Sequence, residues 1–411
     1  MNILMVLSTK IFPPDGRVER EARSLIGDGH NVFLMARRGP GQPAEEIIDG
    51  VHVIRVPLPF QRKKAIADFI YFFLQRYFIL FHILWACRKH RIDALHVHDL
   101  CYAPATTLAG KILRLPVVFD MHEHYTAMLR MSFEAKVYRK FKPFAFILLS
   151  LLRIEERIAC RWARKVIVVA DEHIARIESL GVGRDNIVVV TNTEDVDYFR
   201  AFAIDESLVH KWDEDFVILY VGGFSPHRGL ETAIGAMPEV LEQIPNARLL
   251  LVGDGVIRRE LEQLVRDLGL TGRVTFTGHQ LFRMIPTYIH LSSVCLIPHI
   301  STPHIETTMP NKIFQFMMLG KPVVVSNTRP MMRIVNDAEC GLIFKERDAQ
   351  SLAETIIQLA DDDMRRRLGE NAGRAVEDRY NWKKTVQALL VLYRAADHGT
   401  GSGPQTATSQ V

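Results

Sequence analysis

The feature that most constrains this chain is an alternation of apolar, strand-like runs with helical patterns, met twice. "NILMVLS" leads through a polar loop and the helical pattern "RVEREARSLIGDG" to "NVFLMA", and "ALHVHD", "PVVFDMH" and "KVIVVA" continue the series. A second series opens at Phe216 with "FVILYVGGF" and passes through "ARLLLVGDG", "RVTFTG", "VCLIPH" and "KPVVVS". Such alternation is the signature of parallel sheets with crossover helices. It predicts two doubly wound α/β domains, over residues 1–204 and 205–377, a C-terminal helix over 378–396, and a Gly/Ser/Thr-rich disordered tail over 397–411. A length of 411 residues with 48% hydrophobic content is ample for two cores.

Ligands of open parallel sheets bind at the carboxyl ends of the strands, so the loops there are where chemistry is expected. After "FVILYV" stand Gly222 and Gly223, which allow close backbone approach, and Arg228 beside Gly229 at the start of a helix. "VGDG" supplies Gly253 and Gly255 in another tight turn. The stretch "TTMPNKIFQFMMLGKPVVVS" reads as a helix of roughly ten residues, opened by Pro310 and stopped at Gly320, with Asn311 and Lys312 at its positive end. Two cations, Arg228 and Lys312, thus follow strands of one sheet, as an anion site requires. No Walker loop and no GxGxxG fingerprint is present.

In the first half, "HVHDL" and "FDMHEHY" place His96, His98, Asp99, Asp120, His122, Glu123 and His124 at strand ends. Histidine beside carboxylate raises a metal site, but no HExxH helix exists and the spacing fits cleft histidines that orient hydroxyls or move protons better. No metal ligand is therefore assigned. Five scattered cysteines without a CxxC pair suggest neither a disulfide framework nor zinc, and "MNILMVLS" reads as a strand rather than a signal peptide, which points to the cytoplasm.

Charge is uneven. Residues 1–204 hold 29 Lys and Arg against 22 Asp and Glu, +7, while the rest holds 22 against 25, −3. The basic half is also where long apolar, aromatic segments lie. Residues 66–87, "IADFIYFFLQRYFILFHILWAC", are flanked by Arg62-Lys63-Lys64 and Arg88-Lys89-His90-Arg91, and Asp68, Gln75 and His82 recur every seven residues as one polar stripe. "KVYRKFKPFAFILLSLL" sets Lys136, Arg139, Lys140 and Lys142 before a second apolar run. Two readings stand: core helices of a large domain, or basic amphipathic segments on an anionic membrane surface. Nucleic acid is not implied.

In order along the chain, "FPPDGRVEREARSLIGDGHNV", "HVHDLCYAPA", "VVFDMHEHY", "YVGGFSPHRGLETAIGAM", "LLLVGDG" and "MPNKIFQFMMLGKPVVVSN" resemble family 4 retaining glycosyltransferases, from Met1 to about Tyr393. The resemblance implies a GT-B fold, two Rossmann-like domains facing across a cleft, with a C-terminal helix crossing back to the first. It also implies a nucleoside-diphosphate sugar donor held by the second domain, a lipid-linked or glycan acceptor held by the first, and no required metal or cofactor. A hexosyl sugar would be transferred in cell-envelope or exopolysaccharide synthesis, on the inner face of the plasma membrane. Arg228 and Lys312 match the cations at the donor diphosphate, His122 the cleft histidine, and Gly16 and Arg17 the N-terminal glycine loop. Glu306, Thr308, Asn311 and Gln315, with the glycines above, fall in the donor-binding positions. Two positions depart from the family pattern. Gly223 stands where an arginine is frequent, and the paired glutamates eight apart match Thr307 and Gln315, with Glu306 one residue out of register. A GT-B sugar-nucleotide epimerase and a catalytically degenerate, membrane-associated binding paralogue are the alternatives.

Overall fold

The structure, a computed structural model, describes residues 1–57, 65–134 and 142–398. It divides into two compact units: Met1–Thr191 together with the segment from Thr385, and Asn192–Lys384.

The first unit is built on eight strands, β1 (Asn2–Ile11), β2 (Asn31–Arg37), β3 (Glu45–Ile48), β4 (Val51–Val56), β5 (Ala94–His98), β6 (Val117–Met121), β7 (Lys165–Val168) and β8 (Ile187–Val189). They lie in the order β3-β4-β2-β1-β5-β6-β7-β8, parallel except for the β3–β4 pair. Ile3, Leu4, Met5 and Val6 are completely buried, because helices cover both faces of a parallel sheet and leave no polar side. The order reverses between β1 and β5, so their carboxyl ends frame a crevice. Sequence alternation did not reveal β3 and β4. The signal was present in "EEIIDGVHV", where Asp49 (φ 49°) and Gly50 (φ 81°) make the two-residue hairpin turn that needs positive φ twice.

Five helices of this unit matter below: α1 (Gly16–Gly27), α2 (Ala65–Lys89), α3 (Ala103–Leu113), α4 (Tyr125–Glu134) and α5 (Lys142–Trp162). Ile79, Ile83, Ala109, Leu152 and Ala159 from α2, α3 and α5 enter the same core as the strands. Tyr77, Phe81 and Trp85, one turn apart on α2, are exposed instead, at 73%, 68% and 40%. Phe146, Ile154, Ile158 and Trp162 form an exposed stripe on α5. The polar stripe of α2 points elsewhere: Gln75 and His82 are half-buried, and Gln75 lies 3.4 Å from the Tyr102 hydroxyl. Arg62, Lys63, Lys64, Lys136, Arg139 and Lys140 lie outside the described residues. No described helix is long and apolar enough to cross a membrane.

The second unit carries β9 (Phe216–Val221), β10 (Ala247–Val252), β11 (Val274–Gly278), β12 (Val294–Ile297), β13 (Val323–Ser326) and β14 (Gly341–Phe344) in the order β11-β10-β9-β12-β13-β14. All pairs are parallel, and the order reverses between β9 and β12. The division expected at residue 204 moves to 191. Helix Val196–Arg200 is capped by Asp195, and Arg200 donates to the Met318 carbonyl (2.8 Å), so this stretch packs with the second unit. The helix expected over 378–396 is Gln387–His398 and belongs to the first unit, where Leu389 and Tyr393 are buried. Asp397 and His398, expected in the tail, are thus helical; residues 399–411 are outside the described residues.

Candidate active site

At the switch point of the second sheet, the loops after β9 and β12 bring together one arginine, one lysine and three histidines. Arg228 closes a single 3-10 turn, Pro226–Arg228, and its Nη1 lies 3.0 Å from Nε2 of His299, just past β12. Lys312 is buried, with Nζ 4.4 Å above the centre of the Tyr220 ring on β9. His227 and His304 meet edge to face, ring centres 6.1 Å apart. Among the described residues, no carboxylate pairs with Arg228 or Lys312. The electrostatic record of that imbalance is plain. Burial, then Arg228, holds the Lys312 ammonium well below the usual lysine range and presses His227 down to about 3 and His304 to about 4. Burial and the two cations likewise keep His299 neutral, well below its ordinary value.

The glycines make this nest possible by different means. Gly222 (φ 144°) leaves room for the lysine: a Cβ there would stand 2.6 Å from Lys312 Nζ. Gly229 (φ 66°) lets the loop touch the β12 loop, since a Cβ would fall 1.9 Å from the Pro298 carbonyl oxygen. Gly253 and Gly255, expected to meet a ligand, are instead packed against backbone of residues 222 and 224, where a Cβ would come within 2.0 and 2.2 Å of carbonyl oxygens. Their role is to let the loops after β9 and β10 touch. Gly223 is exposed, and its carbonyl accepts from the Tyr220 hydroxyl at 3.0 Å.

The helix expected to begin at Pro310 is shorter, Lys312–Met318, and Asn311 precedes it without a side-chain cap. Seven residues give too little helix for its dipole to anchor an anion; the cationic side chains carry the site. Gln315 points into the unit's core, its Nε2 donating to Oε2 of Glu194 at 3.0 Å. Glu306 accepts from Arg329 Nε (2.8 Å) and from the Ser301 hydroxyl (2.7 Å), which holds it below the usual range despite burial. Thr308 is half-buried, between the buried Thr307 and Met309.

The first unit has its own polar centre at the carboxyl ends of β1, β5 and β6. Arg17, expected at a ligand, is turned inward. Its Nε and Nη2 donate to the two oxygens of Asp120 (3.1 Å each), Nη1 donates to the Val190 carbonyl (3.1 Å), and Glu21 Oε1 lies 3.0 Å away. Gly16 starts the same helix, whose cap is Asp15 accepting from Val18 N–H. His122 Nε2 lies 2.9 Å from Asp120 Oδ2 and 3.1 Å from His98 Nδ1, with Asp99 at 3.7 Å from its Nδ1. His96 stacks on His98 at 4.5 Å, and its Nδ1 meets the Tyr393 hydroxyl at 3.0 Å. Burial would lower His122, but Asp99 and Asp120 carry it up to about 9, so it is an imidazolium at neutral pH. Burial, then Asp120, raises Glu21 to about 8. Burial would also raise Asp120, yet Arg17 and His122 keep it well below the carboxylate range.

Glu21, His96, His98 and Asp120 bring one ligand atom each within 4.8 Å of one another. Arg17 contacts the two carboxyl groups of the four, Glu21 and Asp120, so a cation of the chain itself already occupies part of the donor set. Sequence reading singled out His122, Arg228 and Lys312; it passed over Glu194, His227, His299, His304 and Tyr393, whose partners lie far off in sequence, and Glu21, which pairs with Arg17 one helical turn away.

Two family profiles match the chain in series: "Glycosyl transferase 4-like domain" over residues 16–193 and "Glycosyl transferases group 1" over residues 205–375. The chain belongs to the group 1 glycosyltransferases. Among relatives of this glycosyltransferase, alpha-D-kanosaminyltransferase of Streptomyces kanamyceticus is 27% identical over 183 residues, 44% of this chain and 46% of that one. Phosphatidyl-myo-inositol mannosyltransferase of Mycobacterium tuberculosis is 23% identical over 324 residues, 77% of each chain. The glycosyltransferase thus spans about half the length of the former relative and three quarters of the latter. Among solved structures, Anabaena HepE in complex with UDP and glucose superposes with a TM-score of 0.70 at 17% identity, covering 96% of this chain and 99% of that one. The two parallel-sheet units of this glycosyltransferase are those of the GT-B fold.

Proposed function

We propose that this protein is a retaining, metal-independent glycosyltransferase. It moves a hexosyl-type sugar from a nucleoside-diphosphate sugar to a lipid-linked or other glycan acceptor in cell-envelope or exopolysaccharide synthesis. The observation that carries the reading is the buried Lys312 and the half-buried Arg228, neither with a carboxylate partner among the described residues, at the switch point of the second sheet. A buried lysine beside a half-buried arginine, with no carboxylate among the described residues to offset them, is costly, and a ligand bearing two or more negative charges is what offsets that cost. A diphosphate is such a ligand. As the bond between sugar and phosphate breaks, negative charge grows on the leaving oxygens, and cations fixed in the loop cluster stabilise it most at that moment.

In the proposed reaction the acceptor hydroxyl attacks the anomeric carbon from the face the diphosphate leaves, and its proton passes to the departing phosphate oxygen. The sugar keeps its configuration without a carboxylate nucleophile. His122, charged and fixed by Asp120 and Asp99, would hold sugar or acceptor hydroxyls. UDP in the Anabaena relative and a phosphatidyl acceptor in the name of the mycobacterial one support a nucleotide donor and a lipid acceptor. The +7 first half and its exposed aromatic faces on α2 and α5 support a site of work on the inner surface of a membrane.

A panel of nucleoside-diphosphate sugars, screened by thermal stabilisation and then by slow hydrolysis, tests the reading. Stabilisation that Arg228→Ala abolishes is expected; no response to any member would overturn it. Gln315 in place of the family glutamate favours a second reading, a binding paralogue without activity. Transfer to any added acceptor would exclude that reading, and turnover of donor to an isomer without acceptor would mark an epimerase instead.

A further inference from the structure

At the opposite end of the first sheet's strands from His122 lie two adjoining cavities that the proposed sugar transfer does not use. One, of about 390 Å³, is walled by the amino ends of β5 to β7 and by the C-terminal helix. Ala94, Pro116, Val118, Val188, Leu392 and Tyr393 line it, and its surface is apolar almost throughout. The size falls in the range of small-ligand sites, about 300–1,000 Å³. The second, about 380 Å³, shares Pro116 and Arg164 with the first and is lined by Lys111, Arg114 and Arg161 as well. All four cations are exposed, and among the described residues none pairs with a carboxylate; Arg161 donates only to the Leu180 carbonyl, at 2.9 Å.

One ligand chemistry fills an apolar chamber that opens beside a cationic one. We infer that the base of the first unit binds an anionic amphiphile, with its acyl chain beneath the C-terminal helix and its phosphate or carboxylate head among Lys111, Arg114, Arg161 and Arg164. Its way in is marked on the surface. Exposed Ile154, Ile158 and Trp162 lead along α5 to the cationic chamber, which Trp162 lines, and exposed Ile112 follows Lys111 in α3. Charge complementarity and apolar fit both point to a lipid; a bare anion would leave the apolar chamber unused, and an uncharged amphiphile would forgo the attraction of four converging cations. The site is independent of the sugar donor, because it lies at the amino ends of the strands and the donor cations lie in another unit.

The test is calorimetric titration of the full chain, in vesicle-free buffer, with dodecyl phosphate below its micellar concentration. Inorganic phosphate and dodecyl maltoside serve as the two half-ligands. Saturable binding at a single site, at least tenfold tighter for dodecyl phosphate than for either half-ligand, is expected. Ala388→Phe, which fills the apolar chamber, should weaken it at least tenfold, and so should Lys111→Glu with Arg164→Glu. The two charge reversals are at exposed positions and decide the matter should Ala388→Phe lower the melting temperature. Equal binding of the three probes, or unchanged binding by the charge-reversed protein, would overturn the inference. Because no membrane and no nucleotide sugar is present, failure here is separable from failure of sugar transfer or of vesicle binding.

Discussion

The side-chain amide of Gln315 donates to the carboxylate of Glu194 across 3.0 Å, and both residues are buried in the second unit. A glutamate at 315, which the family pattern favours, would set two carboxylates against each other out of water. The departure at 315 and the acid at 194 therefore read as one paired feature of this chain.

Gln315→Glu is accordingly expected to destabilise the protein by about 1–3 kcal/mol near pH 8, the cost of a broken buried hydrogen bond and an unpaired charge. The new carboxyl would have a raised pKa in the folded state, so the folded chain keeps a proton that the unfolded chain has lost. The deficit should be small near pH 4 and grow as pH rises. Denaturation midpoints at the two pH values check this, and Glu194→Gln in the same chain should restore most of the loss. A tenfold gain in kcat from Gln315→Glu, about 1.4 kcal/mol in the barrier, would contradict the pairing.

Arg228→Ala and Lys312→Ala should each lower turnover roughly 100-fold, as expected for groups that meet charge in the transition state. The lysine carries a second signature. As a buried cation with no carboxylate partner among the described residues it is a liability to the empty protein, so Lys312→Met should raise the melting temperature by about 2–4 °C while turnover collapses. A variant that melts lower and still turns over would show the lysine to be structural.

His227 and His304 are held down to about 3 and 4 and are neutral at pH 7. A bound diphosphate would raise them, so binding should take up protons and tighten as pH falls from 8 to 6. Calorimetry of UDP or GDP binding in two buffers of different ionisation enthalpy measures that uptake; identical heats would mean that no histidine responds.

His122, raised to about 9, is a stabilising imidazolium below the ordinary histidine pKa, and that contribution is lost as pH climbs through about 9. Glu21, raised to about 8, works in the same direction, because the folded chain again holds the extra proton. Thermal stability should fall between pH 7 and 9.5, and His122→Gln should flatten the fall. In activity, His122→Ala should be more damaging than His124→Ala, whose ring stands 6.0 Å from His173 and outside the Asp120 network. Equal losses would dissolve the distinction.

Vesicle co-sedimentation tests the surface on α2 and α5. Phe81→Ser with Phe146→Ser, both strongly exposed, should cut binding to anionic vesicles at least tenfold, and Arg153→Glu with Arg157→Glu should do the same at low salt only. Binding indifferent to all four changes and to salt would assign the aromatic faces another purpose.

How far the sequence could be read depended on distance along the chain. Arg228 and Lys312 were legible because each follows an apolar run that can only be a parallel strand, and the loops after such strands converge. That Lys312 is buried over Tyr220, 92 positions earlier, is a property of the packed unit and leaves no local trace. Arg17 sat in a recognisable glycine loop, but its direction is set by Asp120, 103 residues on, and the sequence does not show that pairing. Short edge strands such as β8 and β14 carry too few residues for a period to stand out. Glu194 was invisible for the same reason as its partner's meaning: 121 residues separate them.

The hydrogen bond between His96 and Tyr393 joins residues 297 apart, and it bears on how the chain is made. Synthesis delivers the second unit as one uninterrupted stretch, Asn192–Lys384, able to close as soon as it leaves the ribosome. The first unit emerges earlier yet waits for residues 387–398 to seal the amino ends of its strands and to give His96 its hydroxyl partner. Throughout translation of the second unit, a histidine that will be wholly enclosed has no such partner, and an apolar sheet edge has no cover. The oldest part of the nascent chain is thus the last to mature. A premature stop that removes only the final helix should leave the second unit sound and the first a target for chaperones and proteases.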